Sequence, residues 1–298
     1  MKNVNRKRWM MLFLLIALVL LTACQSNVDK QGRTLPERII YLTTPWKDML
    51  NESIFTAIFV YPLAQCINFI GKMTKSGVMG VVITTVLFNL LTLGLTKKST
   101  ISAQKMQMLQ PELTKIQEKY SNRNDDNAQM MMAQEMQKLY AKNGINPMGS
   151  LLTPFLQFPV MIAMYYAAQR ADVVVNGTIF SISLQTTPLE GFKNLKELWP
   201  TALVFIVMLV LQFGSAFISQ YLAKKKQKSQ KGYKAYAENG NSDMSSQTNV
   251  MLFSTLILIG FLGIRWPTAM SVYWAISSLC TIGKTLYIQR RYIDNEKV

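Results

Sequence analysis

Five stretches of this chain are apolar over lengths that suit a bilayer and contain no Asp or Glu: Gly77–Thr96, Pro147–Gln169, Trp199–Ala223, Val250–Ile264 and Pro267–Gln289. In hydrocarbon each backbone N–H and C=O must be satisfied within the protein, and apolar runs of about 20 residues meet that demand as helices. The expected fold is therefore an all-α membrane protein with five transmembrane helices in one bundle. Half of the 298 residues are hydrophobic and only 16% are charged, a balance that belongs to membrane proteins. Without a carboxylate inside the spans, a proton relay has no carrier.

Polar residues in these spans fall on helical stripes. Thr85, Asn89, Thr92 and Thr96 follow at spacings of 4, 3 and 4, so they line one helix face. Ser150, Thr153 and Gln157 repeat the pattern in the second span, Gln212, Ser215 and Ser219 in the third, and Thr268, Ser271, Ser278 and Thr281 in the fifth. Small hydroxyl residues also allow close helix packing, and for Ser and Thr that alternative stays open. The amides of Asn89, Gln157 and Gln212 are different, because each brings two donors and an acceptor that hydrocarbon cannot serve. Facing one another, the stripes predict a hydrophilic groove that holds water.

The N-terminus carries Lys2, Arg6, Lys7 and Arg8, then the apolar run Trp9–Leu20, then Leu21-Thr22-Ala23-Cys24. This order predicts an export signal of the bacterial lipoprotein kind over 1–23, with Cys24 lipidated, and an extracellular linker over 24–50. A signal anchor with a chance Cys is the alternative, weakened by a run short for a span. Residues 51–76 place Phe55, Phe59, Leu63, Ile67 and Ile70 at spacings of 4, 4, 4 and 3, while Gln65, Asn68, Lys72 and Lys75 are polar. An interfacial helix on the outer leaflet is expected there; Pro62 and the polar positions weigh against a sixth span.

Residues 77–298 form the expected five-span core. Eight Lys and Arg lie in Lys97–Asn146 and six in Lys224–Thr248, against three in Arg170–Leu198, so the first two segments are expected in the cytoplasm, with the C-terminus. Within residues 97–146, Met106, Leu109, Leu113, Ile116 and Tyr120 recur at 3, 4, 3 and 4, and Met132, Met136 and Leu139 at 4 and 3. Two amphipathic helices should pair there as a hairpin, with Pro111 kinking the first arm. Met130, Met131 and Met132 offer soft apolar surface for varied partners, or they fill the hairpin seam or rest on lipid. The Lys-rich segment 224–249 reads as a basic loop. Lys284 is the one charged residue within the five stretches, and it is expected to snorkel to the inner interface.

The chain has no His, and Cys66 and Cys280 have no CxxC or His neighbour. His-based triads and metal sites are thereby excluded, and no catalytic residue, metal or cofactor is expected. The formal net charge of +16 suits topology signalling and contact with anionic lipid headgroups or ribosomal RNA, with no sign of a DNA-reading motif.

The segment Asn146-Pro147-Met148-Gly149-Ser150, continued by Leu156-Gln157-Phe158-Pro159-Val160 and Met164-Tyr165-Tyr166, resembles the second-span signature of the YidC membrane protein insertases. Leu95-Thr96-Lys97 with Lys105-Met106-Gln107-Met108-Leu109-Gln110-Pro111-Glu112 is similar to the start of that family's cytoplasmic hairpin. Trp266-Pro267, Val272-Tyr273-Trp274 and Ser277-Ser278-Leu279 resemble its last pair of spans. The resemblance runs from about Ile54 to Arg291 and fits the lipoprotein form found in bacteria with a single membrane. It implies an insertase and chaperone that moves small or single-span nascent membrane proteins from the cytoplasm into the bilayer. The route is a groove open to cytoplasm and lipid, used alone or beside the Sec translocon, and no covalent chemistry is involved.

The chain departs from the family pattern at one telling place. An Arg in the middle of the first span, five residues before a Pro, corresponds here to Asn89 and Gly94. The resemblance implies that this Arg attracts acidic residues of the translocated tail, so its replacement predicts a preference for neutral or weakly charged tails. Competing readings are a channel or transporter with a polar pore, and a membrane scaffold without insertase activity. An intramembrane protease is disfavoured by the lack of an Asp pair in the spans.

Overall fold

The computed structural model describes residues 27–28, 34–121, 125–229, 254 and 256–294; the side chains of residues 95, 148–157 and 227–229 are not described. Cys24, the signal segment and most of the basic loop 224–249 thus lie outside the described residues.

Almost every described element is a helix. A short 3-10 turn, Pro36–Arg38, leads to α1 (Trp46–Glu52), and a π-turn over Thr56–Val60 feeds α2 (Tyr61–Thr74). Pro62 sits in the first turn of α2, where its missing N–H costs no helical bond. Lys75 ends that helix in the left-handed conformation, φ 52°, donating its N–H to the Gly71 and Lys72 carbonyls.

Helix α3 runs Gly77–Met108, a dozen residues past the predicted end of the first span. Leu109 interrupts it, and α4 (Gln110–Ser121) begins with Pro111 in its first turn. Pro111 therefore starts a new helix instead of kinking an arm, since a proline there would leave a carbonyl of α3 without its donor. Met106 accordingly belongs to α3. Helix α5 (Asp126–Lys142) is N-capped by Asp125, whose side chain accepts from the Ala128 N–H, and it packs on α4 as the expected hairpin.

Helix α6 (Pro147–Arg170) and the single turn α7 (Asp172–Val175) precede a two-stranded antiparallel hairpin, β1 (Thr178–Ile179) on β2 (Ile182–Ser183), with Thr178 opposite Ser183. A capping box at Thr187 and Glu190 opens α8 (Pro188–Lys193). Helix α9 (Leu195–Ser229) bends at Leu198, two residues before Pro200. Residues 256–263 form α10, and α11 (Thr268–Ile288) ends in a π-turn over Gln289–Ile293. By length and composition, Gly77–Gly94 and Leu195–Lys226 are each apolar enough to cross a membrane.

Two compact units divide the chain. The first comprises Met1–Phe88, Leu156–Met208 and Leu262–Ile276. Much of its interior is apolar, with Ile67, Val81, Met164, Ala167, Met208 and Met270 at most 1% exposed. Gly80 lets α3 meet α2 closely: a Cβ there would stand 2.6 Å from the Ile67 carbonyl oxygen. The Tyr165, Trp266 and Trp274 rings stack in series at centroid distances of 4.7 and 5.2 Å, so residues that carry the family resemblance build this core. The Thr268 hydroxyl donates to the Thr186 carbonyl at 2.7 Å, and the Ala269 N–H to the Leu184 carbonyl, which ties the β-hairpin segment to the start of α11. The second unit comprises Asn89–Phe155, Leu209–Phe261 and Ser277–Val298 and contains the α4–α5 hairpin.

Candidate functional site: a polar track in the second unit

The hydroxyls predicted to line a wet face mostly serve their own helices. On α3 the Thr85 hydroxyl donates to the Val81 carbonyl at 2.7 Å, Thr96 to Thr92 at 2.8 Å and Thr100 to Thr96 at 2.9 Å. Thr92 reaches the Asn89 carbonyl at 3.3 Å, and on α9 Ser219 reaches the Ser215 carbonyl at 3.2 Å. Such back-bonding satisfies a hydroxyl without any visitor and lets helices approach one another. Thr85 and Ser271 are buried in the first unit, 1% exposed each, and the Ser271 hydroxyl oxygen has no partner there. Ser215 and Thr96, in the second unit, are also buried.

The amides behave differently: they reach across helices. The Gln212 side-chain oxygen on α9 accepts a hydrogen bond from the Ser278 hydroxyl on α11. The Asn89 side-chain oxygen accepts one from the Lys284 ammonium, at 2.7 Å, joining α3 to α11. Gln104, further along α3, donates from Nε2 to the Thr285 carbonyl at 3.4 Å. Two of the three amides expected to need a partner, Asn89 and Gln212, thus have one inside the second unit, while the side chains of Ser150, Thr153 and Gln157 lie outside the described residues.

Lys284 does not take the snorkelling course expected of it. Gln104 stands 15 residues beyond Asn89, about 22 Å along the axis of α3 at the helical rise. Since Gln104 meets Thr285 while Lys284 meets Asn89, the α11 backbone at 284–285 lies between these two levels. The lysine side chain then points toward the Gly77 end of α3, away from the nearby end of its own helix. Lys284 is half-buried, and no carboxylate among the described residues lies within ion-pair distance of it. The contact places a positive charge from α11 beside Asn89, which itself carries none. A sequence signal existed: Lys284 continues the stripe of Ser277 and Thr281 at 4 and 3.

Beyond the span ends, Lys97 lies 4.2 Å from the Tyr292 ring centroid. Hydrogen bonding to Lys97, and then to Tyr287, holds the Tyr292 phenol below its ordinary pKa. In the hairpin, Met130 and Met131 are 56% and 48% exposed while Met132 is half-buried, so the methionines serve both surface and seam. Glu135 of α5 accepts from the Lys119 ammonium at 2.6 Å and from the Tyr120 hydroxyl at 2.9 Å, which sets the register of the two arms.

The family described as 60Kd inner membrane protein matches residues 69–296, most of the chain. The chain belongs to the YidC family of membrane protein insertases. It is 29% identical over 294 residues to membrane protein insertase YidC 2 of Bacillus anthracis, covering 98% of this chain and 97% of that one. Membrane protein insertase YidC of Clostridium perfringens is 34% identical over 244 residues, 79% of this chain and 88% of its own. Membrane protein insertase MisCA of Bacillus subtilis is 29% identical over 231 residues, 77% of each.

The first unit holds a feature that no local spacing announced. Arg170, at the end of α6, is 2% exposed and donates from Nη1 and Nη2 to the two carboxylate oxygens of Glu52, both at 2.8 Å. Its Nε donates to the Arg38 carbonyl at 2.7 Å, and Arg38 itself lies 3.2 Å from Glu52. The Ile40 N–H donates to the Arg170 carbonyl, and Asn68 on α2 donates to the Ile40 carbonyl at 2.6 Å while accepting from the Val173 N–H at 3.1 Å. The segment before α1 is thereby strapped to the end of α6.

Proposed function

We propose that the chain inserts small and single-span membrane proteins into the bilayer through a water-holding groove in its second unit, with Asn89, Gln212, Ser278 and Lys284 in its lining. Five helices cross the membrane in this reading, α3, α6, α9, α10 and α11, with the C-terminus in the cytoplasm, Cys24 lipidated outside and α2 resting on the outer leaflet. The α4–α5 hairpin, with Met130 and Met131 at its surface, receives nascent chains. The ribosome and the Sec translocon are partners on that side.

The observation that carries this reading is the pair of polar contacts between helices, Lys284 to Asn89 and Ser278 to Gln212. A charge and two amides in hydrocarbon cost several kcal/mol each unless hydrated or paired. Water beside them offers the polar tail of a client a hydrated place part-way across. Its apolar segment then leaves sideways into lipid, and burying about 20 apolar residues drives the step. Locally thinned lipid around the short fourth span shortens the dry path further.

A channel requires a polar path through the whole protein, whereas the rings of Tyr165, Trp266 and Trp274 pack together in the first unit beside the buried Met164, Met208 and Met270. Among the described residues Lys284 donates to the Asn89 amide and to no Ser or Thr hydroxyl, which favours insertion over hydrolysis. Purified protein in vesicles tests the proposal: a single-span client should become protease-protected with it and not without it, and small solutes should show no flux. Insertion equal to that of empty vesicles would overturn the reading.

A further inference from the structure

The turn that closes the β1–β2 hairpin is built from residues ill suited to it. Ile179 pairs with Ile182, so Phe180 and Ser181 are the two central residues, with φ of 49° and 67°. Positive φ at both positions is what a type I′ turn demands, and Asn-Gly meets that demand at far less cost than an aromatic residue. The base of the hairpin is firmly seated. Leu184 is fully buried and its N–H donates to the Gly177 carbonyl at 3.0 Å, while the Leu184 and Thr186 carbonyls accept from the Ala269 and Thr268 N–H groups. On this base the tip holds Phe180 69% exposed.

The Phe180 ring stacks on Trp199, with centroids 6.1 Å apart and planes inclined by 27°, and Trp199 is itself 49% exposed. Trp199 heads an apolar stripe of α9. Leu203, Ile206 and Val207 follow it at i+4, i+7 and i+8, all on one helix face and all exposed. The apolar run that starts at Trp199 meets Lys224-Lys225-Lys226 about 37 Å further on at the helical rise, against a hydrocarbon core of about 30 Å. With these lysines in one headgroup layer, Trp199 falls at the opposite one.

We propose that Phe180 and Trp199 form a membrane anchor, an aromatic pair that enters the outer leaflet at the boundary between headgroups and acyl chains and fixes the depth of the first unit. The occupant of this exposed surface is lipid. Burying the Phe180 ring there offsets the strain of the turn, and an indole is favoured at that boundary because its ring is apolar while its N–H reaches water. The proposal rests on α9 crossing the membrane with its Leu195 end outside, as in the reading above. It gives the first unit a second foothold besides α2.

The test places an indole at two depths in the full-length protein, in phosphatidylcholine vesicles. Phe180→Trp with Trp199→Phe keeps the aromatic pair and moves the reporter to the tip, and Val207→Trp with Trp199→Phe sets it about 12 Å deeper than position 199 along α9. Subtracting the emission of Trp199→Phe alone isolates each reporter. The tip should be quenched several-fold more by lipid brominated high on the acyl chain than by lipid brominated near the chain end, with little response to aqueous iodide. Position 207 should show the reverse order of depth. Quenching of the tip by iodide and not by brominated lipid puts the hairpin in water and overturns the proposal. Quenching by neither means that protein covers the pair, a second copy or another chain, and overturns it equally. If position 207 also escapes both brominated lipids, α9 lies outside the bilayer and the spanning reading fails instead, a different result.

Discussion

Replacing Glu52 by Gln should loosen the strap that holds the segment before α1 to the end of α6. Glu52 gives both carboxylate oxygens to Arg170, each at 2.8 Å, and Arg170 is 2% exposed while the Glu52 side chain is 18% exposed. Taking one partner from a buried ion pair leaves an uncompensated charge, which typically costs about 3–5 kcal/mol. Two features lower that figure. Gln keeps one oxygen as an acceptor, and Arg170 keeps its bond to the Arg38 carbonyl at 2.7 Å. A loss of about 2–3 kcal/mol follows from the same principle, scaled down for the retained bonds. For cooperative unfolding of a chain this size, that corresponds to a fall in Tm of about 4–12 °C, read by intrinsic fluorescence in detergent micelles. Replacing both partners, Glu52→Leu with Arg170→Met, should recover part of the loss, because the buried guanidinium is removed while the Arg38 carbonyl loses its donor and the Arg38 side chain its carboxylate. An unchanged Tm in Glu52→Gln, or a double variant less stable than either single one, would refute this account of the strap.

The remaining predictions concern the hairpin, the polar track and the α2–α3 contact. Its hydrogen bonds to Lys119 and then Tyr120 hold the Glu135 carboxyl below its ordinary pKa, so this contribution is present above the unfolded value and disappears as pH falls through the folded one. The hydrogen bond to Glu135 raises Lys119, whose contribution is present below the unfolded lysine value and lost as pH rises through the folded one. Protection of α4 and α5 amides, with exchange corrected for its intrinsic pH dependence, should therefore be greatest between these limits, and Glu135→Gln should remove the acid-side change; protection that ignores both would contradict the pairing. Ser278→Ala should cost about 0.5–1.5 kcal/mol by leaving the Gln212 oxygen without its donor, and Ser278→Ala with Gln212→Leu should cost less than the sum, as a double-mutant cycle in micelles would register. Gly80→Ala should destabilise by about 1–3 kcal/mol, since the added Cβ meets the Ile67 carbonyl at 2.6 Å; a neutral result would show that α2 shifts freely.

Much of the architecture could be read from residue spacing. The 3 and 4 repeats of Leu113, Ile116 and Tyr120 and of Met132, Met136 and Leu139 specify helices α4 and α5, and the Ser121–Asn124 polar break separates them. Pro111 was expected to kink one arm and instead opens α4, because the preceding helix runs on to Met108, which no local signal fixes. Asn89 and Gln212 stood out because an amide in an apolar run must be satisfied, and each has a partner on α11. The identity of those partners was not legible. Lys284 lies 195 residues from Asn89, and side-chain length alone favoured the interface over the bundle. The Arg170–Glu52 clamp joins residues 118 apart, each in a segment with ordinary surface composition, so only the folded chain reveals that the arginine is buried.

Water beside Asn89 is the central claim, and cysteine accessibility in lipid nanodiscs measures it most directly. With Cys24, Cys66 and Cys280 replaced, single cysteines at 89, 92 and 212 are compared with cysteines at 91 and 210, where the native Leu91 and Val210 are 77% and 63% exposed on apolar faces of α3 and α9. The account predicts that a charged, membrane-impermeant maleimide labels positions 89, 92 and 212 and leaves 91 and 210 unlabelled in lipid. Equal silence at all five positions would mean a dry, packed interior at Asn89 and Gln212, and would contradict the route proposed for client tails.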